Sequence, residues 1–472
     1  MGGIRLLATQ RKTIPSASRA GSGGRRPRRT LDALALTGLG IGGIIGAGFF
    51  LGSGIVIHQV GPAIVLTYLL AGVLLAQVMG AITSLAVNVP VRSSYQEYIA
   101  RYMGAYAGFL LGWAVFISGI LAIGSEAVAM AVYSRTWVPT VPLGVYAVAY
   151  VLIIVALNTL GMANLGRAET VMSLAKSAIL VGFIIVGVLL ALHLVPAAHP
   201  AGWPVLTGHG GLFPRGPLAI FRGMLIVIFS YAGVTTVAMA TSRARDPEQA
   251  VPRAALFTTL GVVFLYAVSV LVLVSLVNWR RLGPHASPFV TALGAYHFIW
   301  LADAFNGVIL IASFSVMAGT FYAAEWMLIS MALQHDAPGS FRHQGRGRPW
   351  PALMATTVAV LATLVLAFIL PRTVYTDLTA ASSYFSFVNW FLILLAFSLW
   401  YRRDRQAQQP VSGLAFGAPY ATWAMAAAIV ALGVYSVTIR SFQLGFDVFA
   451  GVMLSVSLTW WLFLRHRRAP AR

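Results

Sequence analysis

The sequence predicts an all-α membrane protein of about twelve transmembrane helices. Only 9% of its 472 residues are charged and 59% are hydrophobic, whereas a soluble chain carries about 25% charged residues to solvate its surface. Apolar runs of about eighteen residues or more recur along nearly the whole length, each long enough to cross a hydrocarbon layer of about 30 Å. The runs are continuously apolar rather than alternating, which selects helices over the strands of a barrel.

In chain order the spans fall near 33–57, 62–88, 105–132, 142–160, 170–194, 219–241, 254–278, 302–333, 351–370, 379–400, 418–438 and 444–464. Assigning alternate connections to one side places 24 of the 32 Lys and Arg residues together, eight of them in the tail 1–31. The opposite side keeps seven: Arg135, Arg215, Arg222, Arg280, Arg281, Arg372 and Arg440. This is the positive-inside pattern, so both termini are expected in the cytoplasm and the membrane to be the cell (plasma) membrane. Residues 1–31 lack any acid, a composition shared with organellar transit peptides, but a disordered basic tail that sets orientation is the simpler reading. The first long apolar run begins only after residue 30, so no cleavable signal peptide is expected.

The absence of cysteine excludes disulfides, thiol catalysis and cysteine-held metal. Nine scattered histidines, none spaced with carboxylates for ligation, argue against a zinc site. The net charge of +20 follows membrane topology rather than a nucleic-acid face. No cofactor is implied, and no metal motif or Ser-His pair falls within the spans, so the chain is not expected to be an enzyme. Nothing in the residues fixes an oligomeric state.

The first span carries GLGIGGIIGAGFFLGSG, Gly38 to Gly54, with eight glycines, each weakening a helix by about 1 kcal/mol relative to alanine. Gly38, Gly40 and Gly43 satisfy GxGxxG, but no strand precedes them, so dinucleotide binding is excluded. Gly38, Gly42 and Gly46 also fit close helix packing, which competes with a true break. The sixth span supplies a counterpart, FSYAGVTT, Phe229 to Thr236. If the first ten helices form two repeats of five, these spans correspond, and paired Gly-interrupted helices point to a transporter binding site. Opened helices expose N–H groups that hold a carboxylate and C=O groups that hold a cation.

At these residues the chain resembles the amino acid permeases of the amino acid, polyamine and organocation (APC) superfamily. GIIGAGFF, Gly43 to Phe50, is similar to the first-helix signature; SSYQEYIARYMGAYAGFLLGW is similar to the second loop and third-helix start; RDPEQAVPRA, Arg245 to Ala254, is similar to the loop after helix six. The resemblance implies the leucine-transporter fold: a tail 1–31, a first inverted repeat 32–194, a second 195–402, and two further helices with a cytoplasmic tail in 403–472. The chain departs from the pattern at Thr235 and Arg243, where acids are common, and in SVMAGTFYAAEWML of span 8, where an Asn and an Arg are usual.

Lys176 is one of two lysines and lies inside span 5. A lysine at mid-span costs about 2.5 to 3.5 kcal/mol on insertion scales, so it needs a cavity or a partner unless its stem snorkels to the interface. The resemblance implies proton coupling, with the ammonium standing where related transporters bind sodium. Freed carbonyls near Ile41 and Gly42, with a hydroxyl of Ser313 or Ser315, would hold it. Glu126 of span 3 either balances Lys176, lies near the substrate, or makes a structural hydrogen bond. Asp303 and Glu325 read as interfacial charges near opposite ends of span 8.

The resemblance further implies that the substrate carboxylate meets N–H groups of Gly46, Ala47 and Gly48. The substrate ammonium would meet carbonyls of Ile44, Phe229, Ser230 and Ala232, with Tyr231 and Gly233 alongside. The expected function is proton-coupled transport of neutral or apolar amino acids in a lipid membrane. A cationic amino acid or polyamine exchanger, with Glu126 facing the cation, is the alternative.

Overall fold

In a computed structural model of the chain, the described residues are 32–89, 94–160, 165–195, 199–234, 244–283, 286–342, 349–369, 374–403 and 412–465, excepting the side chains of residues 160, 165–170 and 234. The tail 1–31, Thr235 and Arg243 lie outside them. Among the described residues the structure is all helix and turn, with no β-strand. Nine helices there are long and apolar enough to cross a membrane. Shorter apolar helices stand at spans 1, 4 and 6.

Span 1 is interrupted. Asp32 starts it by accepting the Ala35 N–H at 2.8 Å, an N-cap that satisfies a free donor. Its first half runs Ala33–Ile44; Ile45 and Gly46 are extended; helix resumes at Ala47–Phe50 and Gly52–Val60. Span 6 comprises a 3₁₀ turn Pro217–Phe221, an α-helix Met224–Ser230 and a second 3₁₀ turn Ala232–Val234. Its regular helix therefore stops at Ser230, midway through the expected span.

The remaining spans are Ile64–Asn88 (2), Ala105–Arg135 (3), Leu143–Leu160 (4), Leu165–Ala191 (5), Pro247–Leu276 (7), Ile299–Leu333 (8), Trp350–Ile369 (9), Val374–Arg403 (10), Tyr420–Val437 (11) and Gln443–Thr459 (12). Spans 5 and 7 start five and seven residues before the hydropathy boundary. Their first turns hold polar residues, and in span 7 Pro247 at the first helical position suits a helix start while hiding it from hydropathy. Two short helices, Gln96–Met103 and Pro288–Ala295, lie between spans and were not legible as spans.

Most of the packing repeats when each span is exchanged with the one five further on. Spans 3 and 8 pack together, as do 2 and 7, and 4 and 9. Span 1 packs on 5 as span 6 packs on 10, and span 5 packs on 7 as span 10 packs on 2. Two repeats of five helices produce this network. Spans 11 and 12 stand outside it, packed chiefly on span 10.

Candidate functional site

The two interruptions meet. Ser230 Oγ donates to the Gly48 carbonyl at 2.6 Å, joining the end of the span 6 helix to the resumed helix of span 1. Gly233 lies against the Gly43 carbonyl so closely that a Cβ there would overlap it. In lipid an opened backbone is tolerated only where its polar groups find partners, and here several find one on a neighbouring span.

At the N-terminal edge of the resumed helix, the Ala47 N–H donates to both carboxylate oxygens of Glu126 at 3.1 Å. Glu126 is 2% exposed, and Gly46 leaves it room. On the carbonyl side, the Tyr266 hydroxyl of span 7 reaches the carbonyls of Ile44 at 3.2 Å and Ser230 at 3.4 Å. Tyr375 of span 10 donates to the Ala47 carbonyl at 2.8 Å. The groups assigned by resemblance to a substrate's carboxylate and ammonium thus hold side chains of the protein: a carboxylate at Ala47, a hydroxyl at Ile44 and Ser230. Tyr266 and Tyr375 were missed in the sequence; for Tyr266 a phenol at mid-span, which needs a partner when buried, was the available signal, whereas Tyr375 lies ahead of the expected start of span 10 and gave none.

The other expected residues crowd the same place. Phe229 packs on Gly48. Tyr231 is fully buried, its hydroxyl 3.3 Å from the Tyr68 carbonyl and its ring stacked on Tyr266 at 5.3 Å. Ala232 and Gly233 are half-buried. Phe49 stacks on Tyr266 at 3.8 Å. Toward the C-terminal end of span 1, Phe50 packs edge-on against Phe289 and Phe305, and Ser287 donates to the Phe50 carbonyl at 3.1 Å.

Lys176 lies deeper than its sequence boundary implied. Because span 5 begins at Leu165, Lys176 stands eleven residues in, roughly 16 Å along the axis, and is 1% exposed. Its ammonium does not snorkel: Nζ donates to the Gly42 carbonyl at 2.7 Å and to Ser315 Oγ at 2.9 Å. Spans 1, 5 and 8 are thereby tied through one nitrogen. The Ser313 hydroxyl is buried beside the side chains of Glu126 and Tyr133. Asp303 is exposed and accepts from Trp137 at 3.3 Å. Glu325 is 6% exposed and stands eight residues inside the end of span 8.

A multi-pass membrane protein whose centre is two opened helices, with a buried ammonium and a buried carboxylate at the opening, has the build of a solute transporter. The amino acid permease family model matches residues 36–466, and the chain belongs to that family. It is 30% identical over 370 residues to the gamma-aminobutyric acid permease of Bacillus subtilis, covering 78% of this chain and 79% of that one. It is 29% identical over 448 residues to a probable GABA permease of Pseudomonas aeruginosa, covering 92% of each. It is also 30% identical over 386 residues to the aromatic amino acid transport protein AroP of Salmonella typhimurium, covering 82% and 84%. Amino acid transport is the activity that membership carries; the chain is not an enzyme.

A methyl group added at position 46 would stand 2.8 Å from Glu126 Oε1 and 3.0 Å from Val316. Gly46→Ala is therefore expected to lower stability by about 1 to 3 kcal/mol through overpacking and to reduce transport. Gly38→Ala, which meets no atom within 4 Å, leaves both unchanged. Thermal unfolding of the two purified variants in detergent checks the contrast.

Proposed function

We propose that the protein is a secondary active transporter that couples uptake of neutral or apolar amino acids to protons by alternating access in the plasma membrane. A four- or five-helix bundle moves against a scaffold around the midplane site, both built from the repeats 32–194 and 195–402, with 403–472 peripheral and both termini cytoplasmic. One observation carries the reading: the opened helices hold a carboxylate on the Ala47 N–H and a hydroxyl on the Ile44 and Ser230 carbonyls. That arrangement has the polarity a zwitterion needs. An amino acid would enter by displacing Glu126 with its carboxylate and Tyr266 with its ammonium.

Protons enter this exchange at two places. A carboxylate accepts a charge-assisted hydrogen bond about twice as strong as a neutral acceptor does, so protonating Glu126 weakens its hold on Ala47 and favours the substrate carboxylate. Proton and substrate then assist each other, a coupling that linkage makes reciprocal. Lys176 acts on the other half of span 1. Burial disfavours the charged form of an ammonium in general; loss of its proton would weaken the tie to Gly42 and Ser315 and free the first half of span 1 to move against spans 5 and 8.

The cationic amino acid or polyamine alternative uses Glu126 as the cation's partner. The carboxylate's engagement with a backbone N–H favours the zwitterion reading, as do relatives named for GABA and aromatic amino acids.

Lys176→Ala in proteoliposomes is expected to retain substrate counterflow but lose uphill accumulation under an inward proton gradient; retained accumulation would remove Lys176 from coupling. Glu126→Gln is expected to lower KM at neutral pH and flatten its pH dependence, read from initial uptake rates between pH 5 and 8; an unchanged pH profile would leave Glu126 a structural role. Because the chain has no cysteine, single cysteines at Ser16 and Ser441 report topology. A membrane-impermeant maleimide should label only the second in intact cells.

A further inference from the structure

On the face opposite the basic tail, where arginine is depleted, four of the seven basic residues converge. Arg215 and Arg222 precede the span 6 helix, Arg280 follows span 7, and Arg440 lies between spans 11 and 12. They gather at His58, near the end of span 1. Two adjoining cavities of about 300 and 310 Å³ share His58 and Arg215. Trp279 and Arg280 complete the first; Gln59, Arg222 and Arg440 line the second. Among the described residues no carboxylate lines either one.

The guanidiniums are held in place rather than loose. Arg215 and Arg280 both lie over the Trp279 ring, each 5.4 Å from its centroid. That ring is buried, and its N–H donates to the His209 carbonyl at 3.2 Å. Stacking on an indole engages the face of a guanidinium and leaves its N–H edge for an acceptor. Both arginines are otherwise exposed, so those edges face the cleft. A planar carboxylate is the acceptor that matches such a fork. The volume is at the lower end for small-ligand sites, which suits a single amino acid. His58 stands eleven residues beyond Ala47 along span 1, roughly 16 Å from the opened backbone.

We propose that this cleft is an outer docking site for the carboxylate of an incoming amino acid, and that its charge turns away cationic amino acids and polyamines. The proposal rests on the reading of the protein as an amino acid transporter and narrows the substrate class to non-cationic, carboxylate-bearing molecules. Docking of this kind raises the local concentration of substrate and is weakened by salt.

The test uses Arg215→Gln/Arg280→Gln in phosphatidylcholine proteoliposomes beside wild type, with thermal unfolding to verify folding. The KM of the transported amino acid should rise about threefold or more with maximal rate unchanged, and its dependence on ionic strength should flatten. Acetate should inhibit wild type competitively and the variant little. Unchanged KM and salt dependence in a folded variant would overturn the proposal. So would an effect that acetate does not reproduce and that appears only when phosphatidylglycerol replaces part of the phosphatidylcholine, which would assign the cleft to lipid phosphate. If no amino acid is transported, the functional reading fails by itself; calorimetric titration of both proteins with acetate still decides the cleft, since equal heats would remove the anion site.

Discussion

Everything at the centre of this molecule follows from one constraint: backbone N–H and C=O groups freed at membrane depth must be satisfied without water. Span 1 gives up its helical ladder at Ile45 and Gly46, and span 6 ends its regular helix at Ser230. The cost is met by side chains of span 6 itself and of four other spans: Ser230 of span 6, Glu126 of span 3, Lys176 of span 5, Tyr266 of span 7 and Tyr375 of span 10. The scaffold exists to deliver these groups, and the repeated packing of the two halves brings them to one point.

In the structure the protein's own carboxylate and phenol engage the opened backbone at Ala47, Ile44 and Ser230. On the proposed reading, substrate binding would be an exchange of these partners. Its free energy is the difference between two sets of hydrogen bonds, small enough for protonation of one partner to shift it.

Much of this was legible in the sequence, for identifiable reasons. Hydropathy found the long spans because lipid demands continuous apolar runs, and the glycines of span 1 marked its interruption because so many cannot sustain a helix cheaply. Lys176 was nameable because a lone lysine at mid-span requires a partner; carbonyls near Ile41 and Gly42 and a hydroxyl of Ser313 or Ser315 were the expected partners, and the structure shows Gly42 and Ser315. Helix starts at Leu165 and Pro247 were not visible, since their first turns are polar. Tyr266 and Tyr375 were hidden among seventeen tyrosines, because composition does not tell which phenol faces an opened backbone. The link between Glu126 and Ala47 spans 79 residues, and only the packing of span 3 against span 1 could reveal it.

The two buried ionic groups attach to one interrupted helix at ends of opposite polarity. Lys176 holds a carbonyl of the half that ends at Ile44, where the helix dipole is negative; Glu126 holds the N–H of the half that resumes at Ala47, where it is positive. Each charge stabilises its half only while ionised. The two halves share neighbours in different proportion: the first packs chiefly on spans 5, 7 and 8 and touches the second turn of span 6, while the second packs chiefly on span 6 and touches spans 3 and 8. On the proposed reading, a proton at Lys176 would bear on the first half and a carboxylate exchanged at Ala47 on the second, with the break at Ile45 and Gly46 between them.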